Sequence, residues 1–295
     1  MISVVQLGRL NYAAGLGLQQ RLVDLRKAGQ IGDVLLLLEH TPVITLGRNA
    51  KAANVLASPD QLALRGVEVS ECDRGGDVTF HGPGQLVGYP IFDLRGKGGS
   101  QPSAISGQEN LESDASSWLS RRGTLGAVDY VRRLEEVLIR TCADFGIPTR
   151  RVAGLTGVWA DHVGPGLPPG QDGSETRPHT SIAEAKIAAI GVHISRAVTS
   201  HGFALNVSTD LSYFDLIVPC GIAAKPVTSM QKELGREVDL NAVAEAVSRN
   251  FGSVFESQML WVETVEALVG HTIGIPMRAP TELRKIRRDE EATRT

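Results

Sequence analysis

From Val34 to Leu38 the chain reads Val-Leu-Leu-Leu-Leu, an apolar run with no polar break. Successive side chains of a strand point to opposite faces, so such a run suits a central strand that is buried on both. A sheet of that kind needs cover on either side, and the helical patterns supply it. Asn11 to Ala28 predicts a helix with Tyr12, Leu16, Leu22 and Leu25 on one face and Gly29 closing it. Val131, Leu134, Leu138, Cys142 and Phe145 form a second stripe, stopped by Gly146 and Pro148. Asp239 caps a third helix, with Leu240, Val243, Val247, Phe251 and Val254 on its stripe. Ser58-Pro59-Asp60-Gln61 starts a short helix that Gly66 ends, with a capping box and Pro at its first position. Thr228-x-x-Gln231 reads as another capping box. Further strands are expected at Val4–Leu7, Val43–Leu46, Val67–Val69, Asp77–His81, Leu86–Phe92, Lys186–Ile194 and His201–Val207, the last two as a candidate hairpin. The alternation fits an α/β class.

At 295 residues the chain could hold one large domain or two small ones. Loop-like inserts are expected near 96–123 and 161–185. A polar tail is expected over 281–295. The Gly- and Pro-rich composition of Gly164–Gly173 and the polar composition of Arg95–Gly126 support the inserts. With 42% hydrophobic and 21% charged residues, the sequence reads as a soluble globular protein. A formal charge of −3 gives no support for nucleic-acid binding. No apolar run reaches the roughly 18 residues of a membrane span, and the start looks like a strand rather than a signal or transit peptide. Cys72, Cys142 and Cys220 are too few and scattered for a disulfide framework or zinc site, so a reducing cytoplasm is expected.

The densest chemistry lies between Arg74 and Tyr89, where Gly75, Gly76, Gly82, Gly84 and Gly88 intersperse Arg74, Asp77, Thr79, His81 and Gln85. As a strand, Asp77-Val78-Thr79-Phe80-His81 puts Asp77, Thr79 and His81 on one face. A Gly-rich hairpin with an ordinary polar face would look the same, whereas neither spaced-glycine nucleotide signature fits. Other residues are ambiguous singly. Cys142 sits on a helical stripe and belongs to the core. Cys220, between Pro219 and Gly221, is as readily a buried turn cysteine as a presented thiol. Lys186 at a strand start is ordinarily a solvated end charge, and His81 and His201 are ordinarily structural.

Taken together, five blocks resemble the lipoyl(octanoyl) transferase family, the octanoyl-acyl-carrier-protein:protein octanoyltransferases. The blocks are Arg74 to Gln85, Gly157-Val158-Trp159, Lys186 to Gly191, His201 to Val207 and Pro219-Cys220-Gly221. They stand in the family's order, from about Ile2 to Leu268 apart from the inserts. The resemblance implies the fold shared by biotin and lipoate protein ligases, of the α+β type, with a mixed β-sheet flanked by helices in a single catalytic domain over residues 1–280. It implies that Cys220 is the acyl-accepting nucleophile and Lys186 its partner. The acyl pocket would be lined by Arg74, Gly75, Gly76, Asp77, Val78, Thr79, Phe80 and His81, by Ala189, Ile190 and Gly191, and by Gly202, Phe203 and Ala204. Tyr89, His201 and Asn206 would support it. The implied donor is octanoyl-acyl carrier protein. The implied acceptors are lipoyl domains of 2-oxoacid dehydrogenases and the glycine cleavage H protein. No cofactor, metal, nucleic acid or membrane is expected, and the protein would act as a monomer.

The implied chemistry suits the residue types. Only a few per cent of an ordinary thiol is thiolate at neutral pH, and a lysine beside it stabilises the thiolate and can shuttle its proton. Passing an acyl group from thioester to thioester and on to an amide needs no ATP. Two alternatives share parts of the pattern. An ATP-dependent lipoate or biotin ligase should show an adenylate-binding glycine/arginine loop and needs no thiol. A non-catalytic acyl-binding protein has no need of both Lys186 and Cys220.

Overall fold

The computed structural model describes residues 1–97, 123–163, 182–219 and 225–268. Most of both expected inserts (residues 98–122 and 164–181), Cys220 and Gly221, and the C-terminal tail lie outside the described residues.

The large sheet is built from β1 (Ile2–Leu10), β2 (Asp33–His40), β6 (Gln85–Ile91), β7 (Thr149–Val152), β8 (Leu155–Val163), β9 (Ile182–Ser195), β10 (Val198–Asn206) and β11 (Met259–Trp261). Its order is β11-β1-β2-β6-β10-β9-β8-β7. β1 runs parallel to both β2 and β11, and the other neighbours are antiparallel, so the sheet is mixed. A small sheet has the order β4-β3-β5, from β3 (Val43–Leu46), β4 (Glu68–Glu71) and β5 (Val78–His81). The helices are α1 (Tyr12–Lys27), α2 (Pro59–Leu64), α3 (Ala127–Asp144), α4 (Met230–Leu234) and α5 (Leu240–Val254).

The apolar run behaves as its pattern demands. In β2, Leu35 and Leu37 enter the core under α3 and α5, while Val34, Leu36 and Leu38 enter the one under α1. All five are essentially fully buried, and burial contributes about 1.5–3 kcal/mol for each such side chain. On the α3 stripe, Leu134, Leu138 and Cys142 are buried and Val131 and Phe145 half-buried. Cys142 is therefore a core residue, its thiol pushed up to about 12 by burial. The small sheet closes over its own cluster, where Ile44, Val78 and Phe80 meet Leu62, Val67 and Phe214.

The local signals mostly land where the residues put them. Ser58 caps α2 with both halves of the box formed, Asp239 caps α5, and Asn11 caps α1 by accepting from the Ala14 N–H. The Thr228 box does not form: Ser229 is the cap of α4, accepting from the Lys232 N–H, and the Thr228 hydroxyl donates to Glu233 instead. Lys186 is not at a strand start, because β9 begins four residues earlier and buries it. β9 and β10 do form a hairpin, turning through Arg196 and Ala197, both left-handed (φ 51° and 64°), as a two-residue loop between twisted strands requires.

Candidate active site

The two sheets meet along one cleft. Its floor is the α1-side face of the large sheet, with Val87 and Tyr89 from β6, Ala189 and Gly191 from β9 and Gly202 and Ala204 from β10; Ile190 and Phe203 between them also line the cleft, but their side chains pack into the core under α3 and α5. Its roof is the segment that leads into β5: Arg74, Gly75, Gly76, Asp77, then Thr79 and His81. Tyr12, the first residue of α1, and His201 complete the wall.

The roof is braced from within. Arg74 is buried and donates to the Thr45 carbonyl at 2.7 Å, to Thr45 Oγ1 at 2.9 and 3.2 Å and to the Gly75 carbonyl at 3.1 Å. Asp77 accepts from Asn54 Nδ2 at 2.6 Å and from the backbone N–H groups of Lys51 and Val78. The Gly75 N–H donates to the Val192 carbonyl at 3.0 Å, laying the roof on β9. That approach needs Gly191, since a Cβ there would stand 2.8 Å from the Gly75 carbonyl oxygen and 3.2 Å from Arg74 Cδ.

A carboxylate ties the roof to the hairpin. His201 Nε2–H donates to Asp73 Oδ1 at 2.6 Å, His193 Nδ1–H donates to Asp73 Oδ2, and Arg48 donates to His193 Nε2 at 3.3 Å. Burial alone would raise the Asp73 carboxyl, but these two histidines hold it below the ordinary range. His201 is itself left-handed (φ 56°), a costly conformation held by its N–H bond to Gln19 Oε1 at 2.8 Å. On the other wall Tyr89 OH donates to His40 Nε2 at 2.6 Å, and His40 Nδ1–H donates to the Leu10 carbonyl. Burial pushes His40 down to about 4 and raises the phenols of Tyr89 and Tyr12 above their usual value.

Lys186 lies on β9 beyond the cleft's last floor residue, Ala189. The register of β8 against β9 slips there: Val158 faces Ala188 but Trp159 faces Lys186, which leaves Ile187 as an extra residue. A bulge of this kind re-aims the side chain beside it. The Lys186 ammonium sits 4.8 Å from the centre of the Trp159 ring, a cation–π contact. Lys225 lies over the same ring at 5.3 Å and pairs with Glu184. Gly157 (φ 118°) makes the hollow for Lys186: a Cβ would be 2.6 Å from the Ala188 carbonyl oxygen and 3.2 Å from Lys186 Cε. Its N–H donates to the fully buried carboxylate of Glu135, which Arg132 and Arg151 neutralise. The backbone of Lys186 is held too, donating to the Pro226 carbonyl and accepting from the Thr228 N–H, each at 2.9 Å.

The model for the lipoyl protein ligase A/B catalytic domain matches residues 11–108 and 115–252. A curated octanoyltransferase from Koribacter versatilis (strain Ellin345) is 54% identical over 290 residues, 98% of either chain. The chain belongs to the octanoyltransferase family. A relative of the same name from Mycobacterium leprae (strain Br4923) is 42% identical over 265 residues, covering 89% of this chain and 92% of that one. The fold extends to solved lipoate ligases. The bipartite lipoate protein ligase of Thermoplasma acidophilum superimposes with a TM-score of 0.59 at 14% identity, over 95% of this chain and 99% of that one. Lipoate-protein ligase A bound with ATP gives 0.55 at 15% identity, over 93% and 95%.

Within this octanoyltransferase-family chain, the cleft brings together most of the residues singled out from sequence. Val78 and Phe80 are the exceptions in the roof, because β5 alternates and turns them into the core of the small sheet. Asn206 lies buried below the cleft rather than in its wall. Cys220 lies outside the described residues. Sequence reasoning placed Tyr12 in a core stripe and passed over His40, Asp73, Glu135 and His193. Their signal was the buried or paired polar side chain, visible only after folding.

Proposed function

We propose that the protein transfers an octanoyl group from octanoyl-acyl carrier protein to a lysine of lipoyl domains, through a thioester on Cys220 with Lys186 as its partner. What carries the reading is the near-full-length identity to proteins of that activity. The geometry supports it in one respect: a narrow cleft leads along the sheet towards a buried, aromatic-backed lysine. The acyl chain would lie between Gly191, Gly202 and Ala204 below and Gly75 and Gly76 above. Each buried methylene would contribute about 0.8 kcal/mol.

In the first half-reaction the Cys220 thiolate attacks the thioester carbonyl, and the carrier's sulfur leaves with a proton from the Lys186 ammonium. In the second, the neutral amine of the acceptor lysine attacks the octanoyl-Cys220 carbonyl. The amide C–N bond forms, the C–S bond breaks, and Lys186 takes the amine's proton as Cys220 departs as thiolate. Lipoyl domains of 2-oxoacid dehydrogenases and the glycine cleavage H protein are the proposed acceptors. The protein would work in the cytoplasm as a monomer, without cofactor or metal. Among the described residues, no helix is long and apolar enough to cross a membrane.

Intact-mass spectrometry tests the reading. With octanoyl-carrier protein and no acceptor, the protein should gain one octanoyl group that hydroxylamine removes at neutral pH, and Cys220→Ala should gain none. An adduct formed only with ATP would favour a ligase. One that survives in Cys220→Ala would move the nucleophile.

A further inference from the structure

Gln85, the first residue of β6, is buried. Its Nε2 donates to the Phe80 carbonyl at 3.1 Å and to Asn206 Oδ1 at 2.9 Å, and Asn206 Nδ2 donates to the Thr228 carbonyl at 2.9 Å. Backbone carbonyls only accept, so neither amide can flip without setting oxygen against oxygen. Gln85 therefore presents Oε1 to His81 Nδ1, 2.7 Å away, and Nδ1 must carry the ring proton. Burial, then the charge of His40, pushes His81 down to about 3, so the ring is neutral. A neutral ring protonated at Nδ1 leaves a lone pair on Nε2. That nitrogen makes no hydrogen bond among the described residues, and His81 lines the cleft.

The register says where along the cleft this acceptor stands. Gln85 pairs with Asn206, next to the Leu205–Ala188 pair of β10 and β9, two residues from Lys186. Asn206 grips the Thr228 carbonyl, and the Thr228 N–H grips the Lys186 carbonyl. The Gly191–Gly202 pair and the Arg74 end of the roof lie further along the same strands. His81 is thus at the lysine end of the cleft, where the acyl-transfer reading puts the thioester.

We propose that His81 Nε2 accepts a hydrogen bond from the attacking amine in the second half-reaction, and that Gln85 and Asn206 are positioning residues that hold it in the accepting tautomer. The proposal rests on the acyl-transfer reading. A primary amine spends its lone pair on the new C–N bond and develops positive charge on nitrogen. An acceptor on one N–H aims that lone pair at the carbonyl and stabilises the charge, while the proton itself passes to Lys186. The first half-reaction brings no amine and has no such need.

The two half-reactions separate the outcomes. Acyl-enzyme formation is followed by intact mass, and transfer is followed from isolated octanoyl-enzyme to a lipoyl domain. His81→Phe keeps a ring against Tyr12 but no acceptor, and should slow transfer about 100-fold more than it slows acylation. Gln85→Leu removes the acceptor that holds the proton on Nδ1, so the ring can carry it on Nε2 instead. It should slow transfer more than acylation, and its ¹⁵N shifts should show the proton on Nε2. The tautomer is read directly in the wild-type acyl-enzyme by ¹⁵N shifts of the His81 ring, whether or not the variants fold. Equal slowing of both half-reactions in either variant, or a wild-type ring protonated at Nε2, would each overturn the proposal. A wild-type protein that forms no acyl-enzyme would overturn the acyl-transfer reading beneath it.

Discussion

At the scale of single residues, the site depends on a few side chains with no room to change. Gly191→Ala would drive a Cβ to 2.8 Å from a backbone carbonyl that cannot swing away. We expect a loss of about 1–3 kcal/mol, read as a lower denaturant midpoint, and slower acyl-enzyme formation as the roof lifts from β9. Lys186→Arg separates two tasks. If the lysine supplies only positive charge, guanidinium serves; if it must also take and return a proton, it does not. The expected outcome is iodoacetamide labelling of Cys220 faster than in Lys186→Ala, but octanoyl transfer slowed at least 100-fold. Transfer near the wild-type rate would defeat the proton-shuttle role. Much of this site was legible beforehand, because Asp77, Thr79 and His81 share a strand face and the glycines mark close backbone approach. What stayed hidden was pairing. Nothing local to Gln85 or Asn206 says that they meet, since the contact is made only when β6 and β10 lie side by side.

Elements place these residues, and α1 shows how. Its N-terminus delivers Tyr12 into the cleft wall, and two turns later Gln19 reaches the left-handed His201. The cap fixes where the helix begins: Asn11 Oδ1 accepts from the Ala14 N–H at 2.8 Å. Asn11→Ala should cost about 0.5–2 kcal/mol, seen as a lower urea midpoint with an unchanged slope. A changed slope would mean that the helix start rearranges rather than merely losing its cap. The strongly periodic helices and the buried central strand could be read from sequence because their pattern is intrinsic. The edges could not. β7 is Thr-Arg-Arg-Val and β11 is only Met-Leu-Trp, and each is a strand because a neighbour offers it hydrogen bonds. The slip from Thr228 to Ser229 at α4 has a similar cause. Thr228 is engaged in the Lys186 and Asn206 contacts, so the helix begins one residue later.

Across the whole molecule, two sheets close over buried imidazoles, and stability must therefore depend on pH. His40 and His81 titrate near 4 and near 3 in the folded protein, driven down chiefly by burial, while an unfolded histidine titrates near 6.5. His201 is shifted the same way. A depressed histidine binds its proton more readily in the unfolded chain. Stability is thus fully present above about pH 6.5 and is lost as pH falls towards the folded values, at about 1.4 kcal/mol per pH unit for each histidine. The carboxylates with lowered values, Asp93, Glu136 and Asp144 among them, act in the same direction but only below about pH 4.5. The two windows are separable. Urea midpoints measured from pH 7.5 down to 5 should fall steadily below pH 6.5, before these lowered carboxylates titrate. A curve flat to pH 5 would mean that His40 and His81 take up protons without unfolding. The cleft would then have to open enough to hydrate them, and the Tyr89–His40 bond beside it would reverse, with the protonated ring donating to the phenol oxygen.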